Sequence, residues 1–106
     1  MAGTAVTKKG IIHGHGGRIE LYTFTLDPAS IAADAQGTEV VTIPGAKAGD
    51  MVFASPEAPD KHLLPSGAKV TADDTVTVYI NNNFTATTAL DGASKTWSLM
   101  IVKFST

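Results

Sequence analysis

The sequence predicts an all-β domain, a β-sandwich or jelly roll of six to eight short antiparallel strands. Three observations predict it. Residues 75–80, TVTVYI, alternate apolar and polar, the period-2 pattern of a strand with one buried face. Ten glycines and five prolines cut the 106 residues into short pieces, as in folds built from many strands and turns. No stretch sustains the i, i+3, i+4 apolar spacing of an amphipathic helix.

The elements follow in order. RIELYTFTL (18–26) is rich in aromatic and β-branched residues and reads as a strand. DPASIAADAQG (27–37) has a helix-start signal in Asp27-Pro28 and a stop in Gly37, yet its pattern supports a crossover between strands better than a helix. TEVVTI (38–43) is a strand ended by the turn dipeptide Pro44-Gly45. DMVFAS (50–55) is another, ended by Pro56. SPEAPDKHLLPSG (55–67) holds three prolines and reads as an exposed loop. Short strands are expected at AKVTA (68–72) and FTATTA (84–89). ADDT and LDGA read as turns, and Asn81–Asn83 suit left-handed turn positions. TWSLMIVKF (96–104) is apolar on both faces, with Trp97, Leu99 and Ile101 on one side and Met100, Val102 and Phe104 on the other. A strand of that kind is central, or is covered on its second face by a partner.

Length allows one core. Eight basic residues face ten acidic ones, for a formal net charge of −2. That balance argues against nucleic-acid binding, which needs a basic stripe. With no cysteine, disulfides and thiolate zinc sites are excluded. No apolar run reaches the length of a membrane span. No secretory h-region is visible, so synthesis in a cytoplasm is expected, and the match of NFT (83–85) to a glycosylation sequon is taken as accidental.

Candidate chemistry is sparse. His13 and His15 stand two apart in GIIHGHGG (10–17), where an extended chain aims both imidazoles the same way. A metal site needs a third and usually a fourth ligand on a stiff frame. His62 is the only other histidine, so metal binding is the lesser reading and no cofactor is expected. The glycines lack phosphate-loop spacing and precede a strand rather than follow one. The acidic residues form no calcium loop, and no serine sits in a nucleophile elbow. An enzyme is not expected. The remaining reading of residues 1–17 is a flexible or extended arm preceding a sandwich domain at 18–106. In that arm Ile11 and Ile12 would anchor on a partner, and Lys8 and Lys9 would meet acidic groups there.

From VVTIPGAKAGDMVFAS (40–55) through LPSGAKVTADDTVTVYINNNFTATTALDGASKTWSLMIVKF (64–104), the chain resembles a small β-domain of tailed-phage virion proteins. The shared features are the G-x-x-x-G-D turn at Gly45–Asp50, the MVFASPE strand, ADDTVTVYINN, and a closing strand carrying Trp97. About two-thirds of the chain is covered. The resemblance implies a capsid decoration (cement) protein at the virion surface. It would bind the major capsid protein or other virion subunits as a homotrimer. The alternative it leaves open is a fibre or tail module that recognises a host glycan or protein, which exposed Trp or Tyr clusters in loops would favour.

Overall fold

The structure is a computed structural model that describes residues 6–14, 16–58, 63–83, 92 and 94–104. Seven antiparallel strands occur among them, and no helix: β1 (Val6–Gly14), β2 (Gly17–Leu26), β3 (Gln36–Thr42), β4 (Met51–Pro56), β5 (Leu63–Ala72), β6 (Thr75–Asn82) and β7 (Lys95–Phe104). They form two sheets, β1-β2-β7-β4 and β3-β6-β5, packed as a β-sandwich. The sheets approach each other most closely where β4 runs beside β5. Counting from that side, β4, β7 and β2 are matched by the three strands of the second sheet. β1 is the fourth strand, and only its first residue, Val6, packs against the core.

The core is the meeting of two alternating faces. β2 contributes Tyr22, Phe24 and Leu26, β7 contributes Trp97, Leu99 and Ile101, and β6 contributes Val76, Val78 and Ile80, all buried. The six core residues expected from β6 and β7 therefore share one cluster. β7 is internal, between β2 and β4, as its two apolar faces require. Trp97 stacks on Phe24 with ring centroids 6.4 Å apart and planes 15° from parallel.

Residues 27–35 form the crossover between the sheets, without a helix. Two buried polar groups hold it. Asn82 donates from its backbone N to Ala35 O and from Nδ2 to Ile31 O, each at 2.9 Å. Glu39 accepts from Ala29 N at 3.0 Å. Asn82 thus corrects the turn expected at Asn81–Asn83. Asn81 and Asn82 end β6, and none of the three has positive φ; the non-glycine residues that do are Asp34 and Asp74. Asp74 lies in the ADDT turn, as expected, and its carboxylate accepts from Gly45 N at 2.8 Å. In the Gly45–Asp50 turn both glycines have positive φ, at 90° and 97°. Asp50 closes that turn by accepting from Lys47 N at 3.0 Å, and Lys103 of β7 ties it down through Asp50 and the Gly45 carbonyl.

The strand expected at 68–72 starts five residues earlier, at Leu63, within the segment read as a loop. Pro65 and Gly67 disguise it. β5 is an edge strand with a register shift between those two residues, and edges and bulges are where a sheet tolerates proline. The strand expected at 84–89 and most of the LDGA turn lie outside the described residues.

The glycines of GIIHGHGG have separate reasons. Gly14 pairs with Gly17 where β1 turns into β2, and Gly16 takes φ 85°. Gly17 lies against β7, and a Cβ there would stand 1.9 Å from the Lys103 carbonyl oxygen. Gly10 has no such neighbour.

Two outcomes follow for stability. Trp97→Ala is expected to cost about 3–5 kcal/mol in denaturant unfolding, the usual range for a buried aromatic; a loss below about 1 kcal/mol would mean the ring is not in the core. Gly17→Ala should lower stability by about 1–3 kcal/mol, because rigid backbone must move. Gly10→Ala, measured beside it, should stay within about 0.5 kcal/mol.

Candidate interaction surfaces

Val6–Gly14, read from sequence as part of an arm, is extended and lies in the sheet along β2. A register shift between Lys8 and Gly10 interrupts the pairing. Alternation then divides the four expected contact residues between two faces. Lys8 and Ile11 lie on the face continuous with the core, opposite Tyr22 and Glu20. Lys9 and Ile12 lie on the outer face. Ile11 is 42% exposed and Ile12 55%.

Lys8 is engaged within the chain. Its Nζ lies 3.6 Å from Glu20 Oε1 and 5.9 Å from the Tyr22 ring centroid. Arg18 donates to Glu20 Oε2, and Tyr22 donates its hydroxyl to Oε1 at 2.7 Å. Sequence reasoning missed Glu20. Its position between Ile19 and Leu21 marks an inward-facing residue, but only the pairing with β1 reveals its partners. Burial pushes the Glu20 carboxyl up. Its hydrogen bonds from Arg18 and Tyr22, with the charges of Lys8 and Arg18, outweigh burial and hold it below the ordinary glutamate value. Burial, and then the bond to Glu20, push the Tyr22 phenol up to about 12.

His13 is exposed and faces Arg18 across the β1–β2 pair. A guanidinium is a poor neighbour for a bound dication. His15 and His62 lie outside the described residues, as do Asp60 and Asp91.

The outer face of the first sheet is ordered in rows. Ile12, Ile19, Val102 and Met51 form one row across all four strands. Leu21, Met100 and Phe53 form the next, with Lys9 at its β1 end. Phe104 stands beside Gly17 and Gly14 on the far side of the first row. In the other direction the chemistry changes at once: Thr7, Thr23, Ser98 and Ser55 form a row of hydroxyls, followed by Thr25 and Thr96. Phe53 is 50% exposed and Phe104 58%.

The outer face of the second sheet differs. There Gln36 bonds Asn81 and Ser66, Thr71 bonds Thr77, and Ser66 bonds the Tyr79 carbonyl. That face is largely hydroxyl and amide, as a water-facing sheet is. Half of the first sheet's outer face is not.

Comparison with protein-family models, with curated proteins and with solved structures finds no match to the chain.

The Glu20 cluster makes stability depend on pH in a stated direction. A carboxyl whose folded value lies below its unfolded value contributes fully above the unfolded value, about 4.3, and the contribution is lost as pH falls through the folded value. Tyr22, raised on folding, contributes fully below about 10 and loses that contribution as pH rises toward 12. Glu20→Gln should therefore cost about 1–2 kcal/mol at neutral pH, limited because Lys8 and Arg18 are half exposed. It should also flatten the fall in urea midpoint between about pH 5 and pH 2. Parallel acid profiles for the two proteins would exclude Glu20 as a source of that fall.

Proposed function

We propose that the chain is a capsid decoration (cement) protein of a tailed phage. It binds the head shell through the major capsid protein, as a homo-oligomer of three copies, and performs no catalysis. The phage assignment and the copy number rest on the resemblance in the second half of the chain. The observation that carries the surface-binding role is β1, a fourth strand lying beyond the three that the second sheet covers. One edge of β1 pairs with β2, and its other edge has no neighbour in the sheet among the described residues.

Such edges recruit another chain unless they are blunted, commonly by lysines and bulges. The Lys8–Gly10 half of β1 carries both devices. The Ile11–Gly14 half carries neither, and it bears an isoleucine on each face. An extended shell segment adding to that half would gain backbone hydrogen bonds from the edge and apolar contacts from Ile11 and Ile12. The placing of Trp and Tyr supports this role over recognition of a host glycan: Trp97 and Tyr22 are 3% and 4% exposed, and Tyr79, partly buried, stands in β6 and not in a loop.

The test uses particles of the phage that encodes the chain. Purified virions should contain the protein in a fixed number of copies. Ile11→Lys, which places a cation opposite Glu20 and blunts the edge, should leave folding intact and reduce the copies retained by about tenfold or more, while Ile11→Val should be retained as the wild type is. Virions that lack the chain, or that retain Ile11→Lys normally, would overturn the proposal.

A further inference from the structure

The outer face of the β1-β2-β7-β4 sheet carries an inference independent of the edge of β1. We propose that this face is where copies of the chain pack on one another, the apolar rows of each copy being covered by its neighbours.

Extent is the first argument. Strands lie about 4.8 Å apart and advance about 3.3 Å per residue, so four strands give a face of roughly 500–600 Å² in plan. With side-chain relief, that approaches the roughly 800 Å² per partner of a stable protein–protein interface. About half of the face is a contiguous run of apolar rows, unlike the singly scattered apolar residues usual on a monomer.

Charge is the second argument. Among the described residues, Lys9, at one margin, is the one charged residue within the apolar rows. Arg18 and Lys103, at the hollow beside Phe104, are ion-paired to Glu20 and Asp50, and Glu57 lies beyond the hydroxyl row, where it accepts from Thr96 N. A shell protein selected as a different partner would be marked by complementary charge. A neutral face matches itself. Phenylalanine and methionine, the residues that stand out here, are also the ones enriched at interfaces, where methionine adapts to an imperfect fit.

Relief is the third argument. The face carries both knobs and hollows. Phe53 and Phe104 protrude, and beside them lie shallow depressions of about 420 and 340 Å³. In self-association each knob finds its hollow on a copy of the same surface. The hydroxyl row of Thr23 and Ser98 marks where the dry contact ends, because those groups keep their water.

The second sheet's outer face is the contrast. It exposes Val40 and Leu64, but singly, among side chains that bond one another and the backbone. Contiguous apolar rows occur on the first sheet's outer face.

Sedimentation equilibrium of the full chain from about 1 to 100 μM tests the inference. The wild type should be an oligomer in this range. Phe53→Lys and Met100→Lys, both on the outward side of their strands, should keep the wild-type circular dichroism spectrum and weaken association by about thirtyfold or more. A monomeric wild type at 100 μM would overturn the proposal, as would an oligomer that neither lysine weakens. The outcome separates from shell attachment: a monomer that still loads onto virions sinks this inference and the three-copy assembly but not attachment, and an oligomer that never loads sinks attachment alone.

Discussion

The antiparallel pairing of β2 with β7, continuous from Gly17–Phe104 to Leu26–Lys95, is the constraint on which the rest depends. It joins the second strand to the last, and it sets what each face of the first sheet presents. With Tyr22 opposite Leu99 and Phe24 opposite Trp97, the bulky aromatic and branched residues enter the core. The same register sends Ile19, Leu21, Met100 and Val102 outward. A slip of one residue would exchange the two sets. Two features oppose a slip. Only a residue without a Cβ fits where the Lys103 carbonyl crosses β2, as Gly17 does. Lys103 is itself fixed to the Gly45–Asp50 turn.

Much of this was legible in the sequence, for a physical reason. β6 and β7 face the core on one side, so burial writes a period of two into TVTVYI and TWSLMIVKF. The turn at Gly45–Asp50 was legible because its glycines meet a backbone requirement. β1 was not legible as a strand. It lies beyond the cover of the second sheet, so no burial imposes alternation on VTKKGIIHG, and only its pairing with β2 defines it. β5 was half hidden because edge strands accept Pro65 and Gly67. Asn82 misled for another reason. A buried asparagine that satisfies the crossover carbonyl of Ile31 looks, in sequence, like any turn asparagine.

The candidate surfaces show the same division. Lys8, Lys9, Ile11 and Ile12 were legible as residues without a core, but not as two pairs on opposite faces. Lys8 belongs with Glu20 and Tyr22, where it steadies β1 against β2. Ile12 belongs with the outer apolar rows. The outward residues of β7 were visible as a second apolar face, and the strand's internal position explains only part of that. An internal strand needs apolar residues wherever a layer lies above and below. Among the described residues, the layer beyond Met100 and Val102 is missing.

The two proposed contacts would reinforce each other. A short stretch of one edge strand, Ile11–Gly14, offers few backbone hydrogen bonds and little apolar area. A single copy bound through it would pay ordering and association costs that such a contact barely offsets. Copies joined through their sheet faces would present several such edges in a fixed arrangement. Once one edge is bound, the others act at high effective concentration on a shell that repeats its own subunits. Weak edges also suit the isolated protein, because an edge strong enough to hold alone would pair with copies in solution and aggregate. The bulge and lysines in the first half of β1, and the unblunted second half, are the compromise this requires.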